Sequence, residues 1–288
     1  MKRRIESALI GNAAALGFNW IYNMPYLTDL NKTQPLVFQP VEKHHYDAAK
    51  KAFYGYPFAK VGDVSFQGDI AYWLYQSLKT NPQMTATDYL DVVYDKIQPG
   101  GSYVGYVESY GRELIYNRLT QALKKEHPLI THHDDQMVGF APYVACQALG
   151  LDNAHAWRLA QAFTDNPLYP ELYLWFDRIH EALASHTPKA AMQATQPLAP
   201  KAWAESVNLA LSESDTTKVT ETINTACHID HAVPLVMHIV AHTEHFQEAI
   251  ELNTRIGGAS CDRGQLIGTL YGDHAQIPTA WLEALNRH

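Results

Sequence analysis

Cysteine is scarce, and the three present, Cys146, Cys227 and Cys261, stand far apart in the chain. An odd and scattered set of thiols excludes a disulfide framework or a CxxC metal knuckle, and a reducing cytoplasm is the expected location. Positive charge is also short. Twenty-two Lys and Arg against 30 Asp and Glu leave a formal charge of −8, which argues against holding nucleic acid by phosphate neutralisation. Long apolar runs are missing too: no stretch approaches the roughly 20 residues that a bilayer crossing needs, so no membrane role is expected. The opening MKRRIESALIGNAAALGFNW has the basic start of a signal peptide, but Glu6 and Asn12 interrupt its apolar part, and it reads as a first helix. Strand signals are few, and the hairpin dipeptides NG and DG do not occur.

What the chain does have is apolar residues at three- and four-residue steps. They recur in 69–80, 108–126, 154–165 and 230–257, the period of helices with one buried face. With 47% hydrophobic and 18% charged residues, the 288 residues suffice for one large core. The expectation is an all-α, single-domain protein over 1–288. Segments 24–67, 95–106, 127–136 and 164–171 are richer in Pro, Gly, His and Asp and read as loops that converge on a site. Segment 186–218 reads as a polar surface connection.

The stretch NTRIGGASCDRGQLIGTLYGDHAQIPTAWLEAL (253–285) is the most informative. Gly264, Gly268 and Gly272 recur every four residues, placing them on one helix face where a second backbone can approach. Gly257 and Gly258 precede that helix and can take positive φ, which would leave N–H groups facing an anion at its N-terminus. The plain alternative is a glycine-rich helix that only packs tightly.

This stretch resembles the last motif of the ADP-ribosylglycohydrolase family, with Cys261, Arg263, Gly264, Gly268, Gly272, Pro278 and Trp281 in register. Upstream, SALIGNAAALGFNWIYN (7–23) is similar to the family's opening helix, with Asn12 where the family has Asp. VGDVSFQGDIAYWLYQSL (61–78) places Asp69 at the second carboxylate of its Thr-Asp-Asp motif and Gly68 at the first. GGSYVGYVESYGRELIYN (100–117) puts Glu108 where the family has Asp, and 226–253 resembles the helix running into the last motif. The resemblance implies an orthogonal helical bundle whose loops meet at a cleft. There two Mg²⁺ ions, held by carboxylates and a Thr hydroxyl, clamp the terminal ribose of ADP-ribose on a small-molecule or ADP-ribosylated substrate.

The departures alter that implication. The family's Asp-x-Asp-Thr ligands fall on Ala259, Cys261 and Asp262, so Asp69 and Asp262 are the remaining metal candidates. Two carboxylates rarely hold two Mg²⁺, and the expectation is one Mg²⁺ or none. Asp69 and Asp135 are the catalytic candidates. Asn12, Trp20, Gly68, Glu108, Asp134, Gly257, Gly258, Cys261 and Arg263 are the ligand-binding ones.

Other segments compete for chemistry. HPLITHHDDQ (127–136) suits metal binding or proton transfer, but Asp134 or Asp135 also serves as a plain helix cap. His133-Asp134 matches the central dipeptide of HD-type phosphohydrolases, which need a further His and Asp from other helices. In CHIDH (227–231), neighbouring Cys227 and His228 point about 100° apart on a helix, which favours packing over zinc. The aromatic group Trp20, Tyr22, Tyr26, Phe53, Tyr54, Tyr56, Phe58 and Phe66 suits stacking on a base or plain core. Cys261 sits at a helix start that would activate a thiol, with no assignable base. Two functions remain: hydrolysis of a glycosidic bond to ADP-ribose or a related ribosyl nucleotide, and a degenerate binding module of the same fold.

Overall fold

The computed structural model describes residues 2–122 and 137–286. Among them the chain is all-helical, with sixteen α-helices and a single isolated antiparallel bridge between Ile21 and Ala52. No helix among these residues is long and apolar enough to cross a membrane.

Local chemistry sets many of the helix ends. Asn23, Asp152, Thr187 and Asp215 each accept a backbone N–H from the first turn that follows them. Thr85 and Asp88 form a reciprocal capping box. The helix Phe140–Leu149 stops where Gly150 turns left-handed at φ 73°.

The centre is the crossing of Lys2–Ala15 with Ser260–Tyr271. A Cβ on Gly264 would lie 2.1 Å from the Gly11 carbonyl oxygen, and one on Gly268 would lie 2.1 Å from that of Ser7. The Ser7 hydroxyl donates to the Gly268 carbonyl at 2.8 Å. The glycine face therefore lets two backbones touch, which places the first turn of Ser260–Tyr271 beside the N-terminus of Phe66–Thr80. Ile229–Ala241 is buried along nearly its whole length, as expected of a helix wrapped on all sides by others.

Three segments differ from the sequence reading. The periodic run 230–257 is two helices, Ile229–Ala241 and Phe246–Ile256. His245 caps the second through its ring, a role invisible in hydrophobic spacing. Segment 24–67 holds the short helices Met24–Leu30 and Lys43–Ala49. Segment 186–218 folds into Pro188–Thr195 and Ala204–Ser212, which bury Ala191, Met192, Val207 and Ala210. Each is short enough for a few apolar residues, scattered among polar ones, to suffice.

Candidate functional site

Two polar regions flank the N-terminus of Phe66–Thr80, one closed and one open. In the closed region Ser65 is the hub. Its N–H donates to Asn12 Oδ1 at 2.7 Å, its hydroxyl receives Asn12 Nδ2 at 2.8 Å, and it stands 3.2 Å from Asp262 Oδ1. Asn12 also reaches Gln265 Oε1 at 3.3 Å. An amide can donate and accept at once, whereas Asp at this position would offer Ser65 and Gln265 acceptors only. The next N–H, of Phe66, donates to the Tyr56 hydroxyl, which donates to Glu108 Oε1, both at 3.0 Å. Gly68 lies against this group, where a Cβ would come within 3.1 Å of Asn12 Cγ.

Asp262 and Glu108 are each 1% exposed. Burial pushes the Asp262 carboxyl up to about 7, against the opposing pull of Ser65 and Arg263. Its Oδ2, Gln265 Nε2, Asn19 Nδ2 and both ends of the Gln67 amide lack hydrogen-bond partners. Room for water or an ion is one physical account of such orphans. The donor chemistry nevertheless does not fit a pair of Mg²⁺ ions: hard cations need several oxygen ligands, and the group is rich in amides whose donating ends repel a cation. Asp262 and Asp69 also do not face one opening, because Asp69 lines the cleft described below and Asp262 does not.

Gly257 and Gly258 adopt positive φ, 75° and 67°, but their N–H groups are spent inside the protein. Gly257 donates to the Thr254 carbonyl at 3.1 Å and Gly258 to that of Ile21 at 2.7 Å. The following N–H groups go to Thr225 O, Gly258 O and Asn19 Oδ1. Arg263 is wholly buried and ties this knot, bonding Asn253 Oδ1 at 3.1 Å, Thr225 O at 3.4 Å and Gly257 O. Burial lowers its guanidinium to about 10, still a cation at neutral pH. Cys261 is buried and its thiol is pushed well up by burial and by Asp262, which is the opposite of an activated nucleophile.

The open region is a cleft of ≈1060 Å³. Asp69 and Asp63 line it with Tyr56, Trp73, Tyr103 and Tyr106. Burial, then the Asp63 charge, pushes the Asp69 carboxyl up to about 8. Asp63 is held in place by the Lys60 N–H at 2.7 Å and the Asn286 amide at 2.8 Å. Trp20, itself at positive φ of 64°, backs the wall by stacking on Tyr56 at 5.2 Å and meeting Tyr106 edge-on. Phe58 and Val104, 79% and 80% exposed, stand at the same cleft.

Of the residues singled out from sequence, Asp69 therefore lines the cleft, and Trp20 packs on two residues that do. Asn12, Gly68, Glu108 and Asp262 gather in the closed group next to it, and Gly257, Gly258, Cys261 and Arg263 in the knot beyond. Asp134 and Asp135 lie outside the described residues, as do the other residues of 127–136. Asp63 was missed, although it stands six residues before Asp69 in the matched segment. Ser65 carries no signal a single sequence displays. Among the described residues the one group of three His, Cys, Asp or Glu ligand atoms within 4.8 Å of one another is Glu42, His44 and His45, none of which lines the cleft.

Comparison with known proteins gives a family match over residues 3–288 to the model described as ADP-ribosylglycohydrolase. A solved structure titled "ADP-ribosylglycohydrolase-related protein complex" superposes with a TM-score of 0.61 at 18% identity, covering 99% of this chain and 93% of that one. No curated protein matched.

Proposed function

The chain belongs to the ADP-ribosylglycohydrolase family, and from that premise we propose that its cleft cleaves a glycosidic bond to ADP-ribose or a related ribosyl nucleotide, with Asp69 as the acid and with reduced dependence on Mg²⁺. The observation that carries this reading is the Asp69 carboxyl, held up to about 8 in an aromatic-walled cleft beside Asp63. A carboxylic acid that keeps its proton at neutral pH can protonate a leaving group, and a second carboxylate beside it divides the labour. Asp63, fixed by Lys60 and Asn286, is the group that steadies positive charge developing on the ribose or orients the attacking water. Trp73, Tyr103 and Tyr106 supply faces for a base or sugar. Asp135 remains a catalytic candidate and Asp134 a ligand-binding one on sequence grounds alone, and Gly257, Gly258 and Arg263 form the frame behind the closed group.

Hydrolysis of ADP-ribosyl-arginine, followed with and without Mg²⁺, tests the reading. Turnover that persists in chelator, falls as pH climbs past about 8 where Asp69 loses its proton, and collapses in Asp69→Asn supports it. Turnover that needs Mg²⁺, or that Asp69→Asn leaves intact, defeats it.

A second reading, a binding module without turnover, is favoured by one observation: Asn12 and Arg263 are committed to internal hydrogen bonds. Calorimetry with ADP-ribose separates the two, since tight binding without hydrolysis supports the module.

A further inference from the structure

We propose that Glu42, His44 and His45 form a binding site for a borderline divalent transition ion of the Zn²⁺ class, separate from the cleft and independent of the hydrolase reading. The three lie at the start of the helix Lys43–Ala49. Glu42 Oε2 stands 3.8 Å from His44 Nδ1 and 3.7 Å from His45 Nε2. These separations exceed a hydrogen bond but lie within the roughly 4.4 Å limit for two atoms each bonded at about 2.0–2.2 Å to one ion. The two rings lie 3.9 Å apart at 40°, and the three ligand atoms all lie within 4.8 Å of one another.

The second observation is how His45 is held. It is 6% exposed, its Nδ1 is 2.7 Å from the Tyr26 hydroxyl, and the edge of Phe18 meets its ring at 5.1 Å. That leaves Nε2 as the nitrogen facing Glu42. A ligating imidazole whose other nitrogen is engaged by an oriented partner is the usual arrangement at metal sites, because it fixes ring and tautomer. With the proton on Nδ1, donated to Tyr26, the Nε2 lone pair is free for the ion.

The carboxylate is likewise available. Glu42 makes no capping bond to the helix it precedes. The adjacent cation, Lys43, is turned to Asp47 at 2.6 and 2.8 Å and does not occupy it. Two imidazoles and one carboxylate suit Zn²⁺ and its neighbours rather than Mg²⁺, and three protein ligands leave a position for water. The ion would brace the helix whose Tyr46 hydroxyl reaches the carbonyls of Gly17 and Asn19, next to Trp20.

The test is titration of the chelator-stripped full chain with ZnCl₂ by calorimetry, beside thermal unfolding with ZnCl₂ or MgCl₂. The expected results are one site lost in the exposed-residue variants His44→Ala and Glu42→Gln, affinity weakened about tenfold in Tyr26→Phe, and a rise in Tm with Zn²⁺ only. His44→Ala and Glu42→Gln change partly or fully exposed side chains, so their folding is secure and confirmed by their Tm without metal. Zn²⁺ affinity and Tm response equal to wild type in both variants would overturn the proposal, as would an equal response to Mg²⁺ or none to Zn²⁺.

Discussion

The open cleft and the closed knot sit on either side of one helix N-terminus, yet they treat polar groups in opposite ways. In the knot the backbone N–H groups from Gly257 to Cys261 find acceptors inside the protein. Arg263 gathers three oxygens, and Asn12 uses both ends of its amide on Ser65. In the cleft the Asp63 charge adds to burial in raising the Asp69 carboxyl, and the aromatic wall is built by ring-to-ring packing of Tyr56, Tyr103 and Tyr106 with Trp20 and Trp73. A buried charge that is fully bonded is costly to remove but does little chemistry. Strained protonation in an opening is where chemistry is usually found. The contrast separates residues that the resemblance lists together: the proposed function assigns reactivity to Asp69, whereas Arg263 and Gly257 are bonded into the interior.

The sharpest way to break that division is to cross activity with stability. Asp69→Asn is expected to cost about 10²–10⁴-fold in hydrolysis, the usual worth of a positioned acid, with a melting temperature no lower than wild type. Arg263→Met should do the reverse: leaving the Asn253 and Gly257 oxygens without the guanidinium in the interior costs about 3 kcal/mol or more, read as a large fall in denaturation midpoint. If Asp69→Asn unfolds the protein while Arg263→Met leaves it stable, the two regions have been misassigned.

Gly264→Ala probes the crossing beneath both. Its Cβ would fall 2.1 Å from a backbone oxygen, so one helix must shift, at about 1–3 kcal/mol. Thermal unfolding measures this, and a loss well under that range would mean that the crossing has slack.

A subtler distinction lies in pH. Asp262 is raised to about 7 from 3.8, so the native state keeps a proton that the unfolded chain has released. Its contribution to stability is fullest below about 4 and is lost as pH rises toward 7. His180 and His238 oppose this, since burial lowers both and their protonation in the unfolded chain costs stability below about 6.5. Asp262→Asn should therefore gain stability relative to wild type as pH goes from 5 to 8, measured by denaturant midpoints at each pH; a constant difference would show that Asp262 is ionised throughout.

The smallest effect is expected at the cleft mouth. Phe58→Ser removes an exposed ring and should raise KM a few-fold, about 1 kcal/mol, with kcat and melting temperature unchanged.

Much of the fold was legible beforehand. The three- and four-residue spacing of 69–80 and 154–165 announced helices because burial on one face requires it, and the glycines at 264 and 268 announced a close crossing because nothing else fills so little space. The ends of short helices were less legible. Pro188–Thr195 carries few apolar residues, and the break after Ala241 depends on a histidine cap, which ordinary propensity disfavours.

The site divided along the same line. Asp69 was visible because its neighbours carry a recognisable pattern. Asp63 was not, because nothing in the local sequence distinguishes an Asp that lines a cleft from one that caps a turn. Gly257 and Gly258 suggested exposed N–H groups, but a positive φ states only how the backbone turns, and what those N–H groups meet comes from Ile21 and Thr254.

The sequence by itself determined the all-helical class, the family and the helix face on which two backbones meet, since these follow from periodicity and residue size within short spans. Only the tertiary structure decided which polar groups are spent and which remain available. Hydrogen bonding and desolvation depend on residues as distant as Asn12, Ser65 and Asp262, and partners that far apart in the chain become neighbours only when the helices cross.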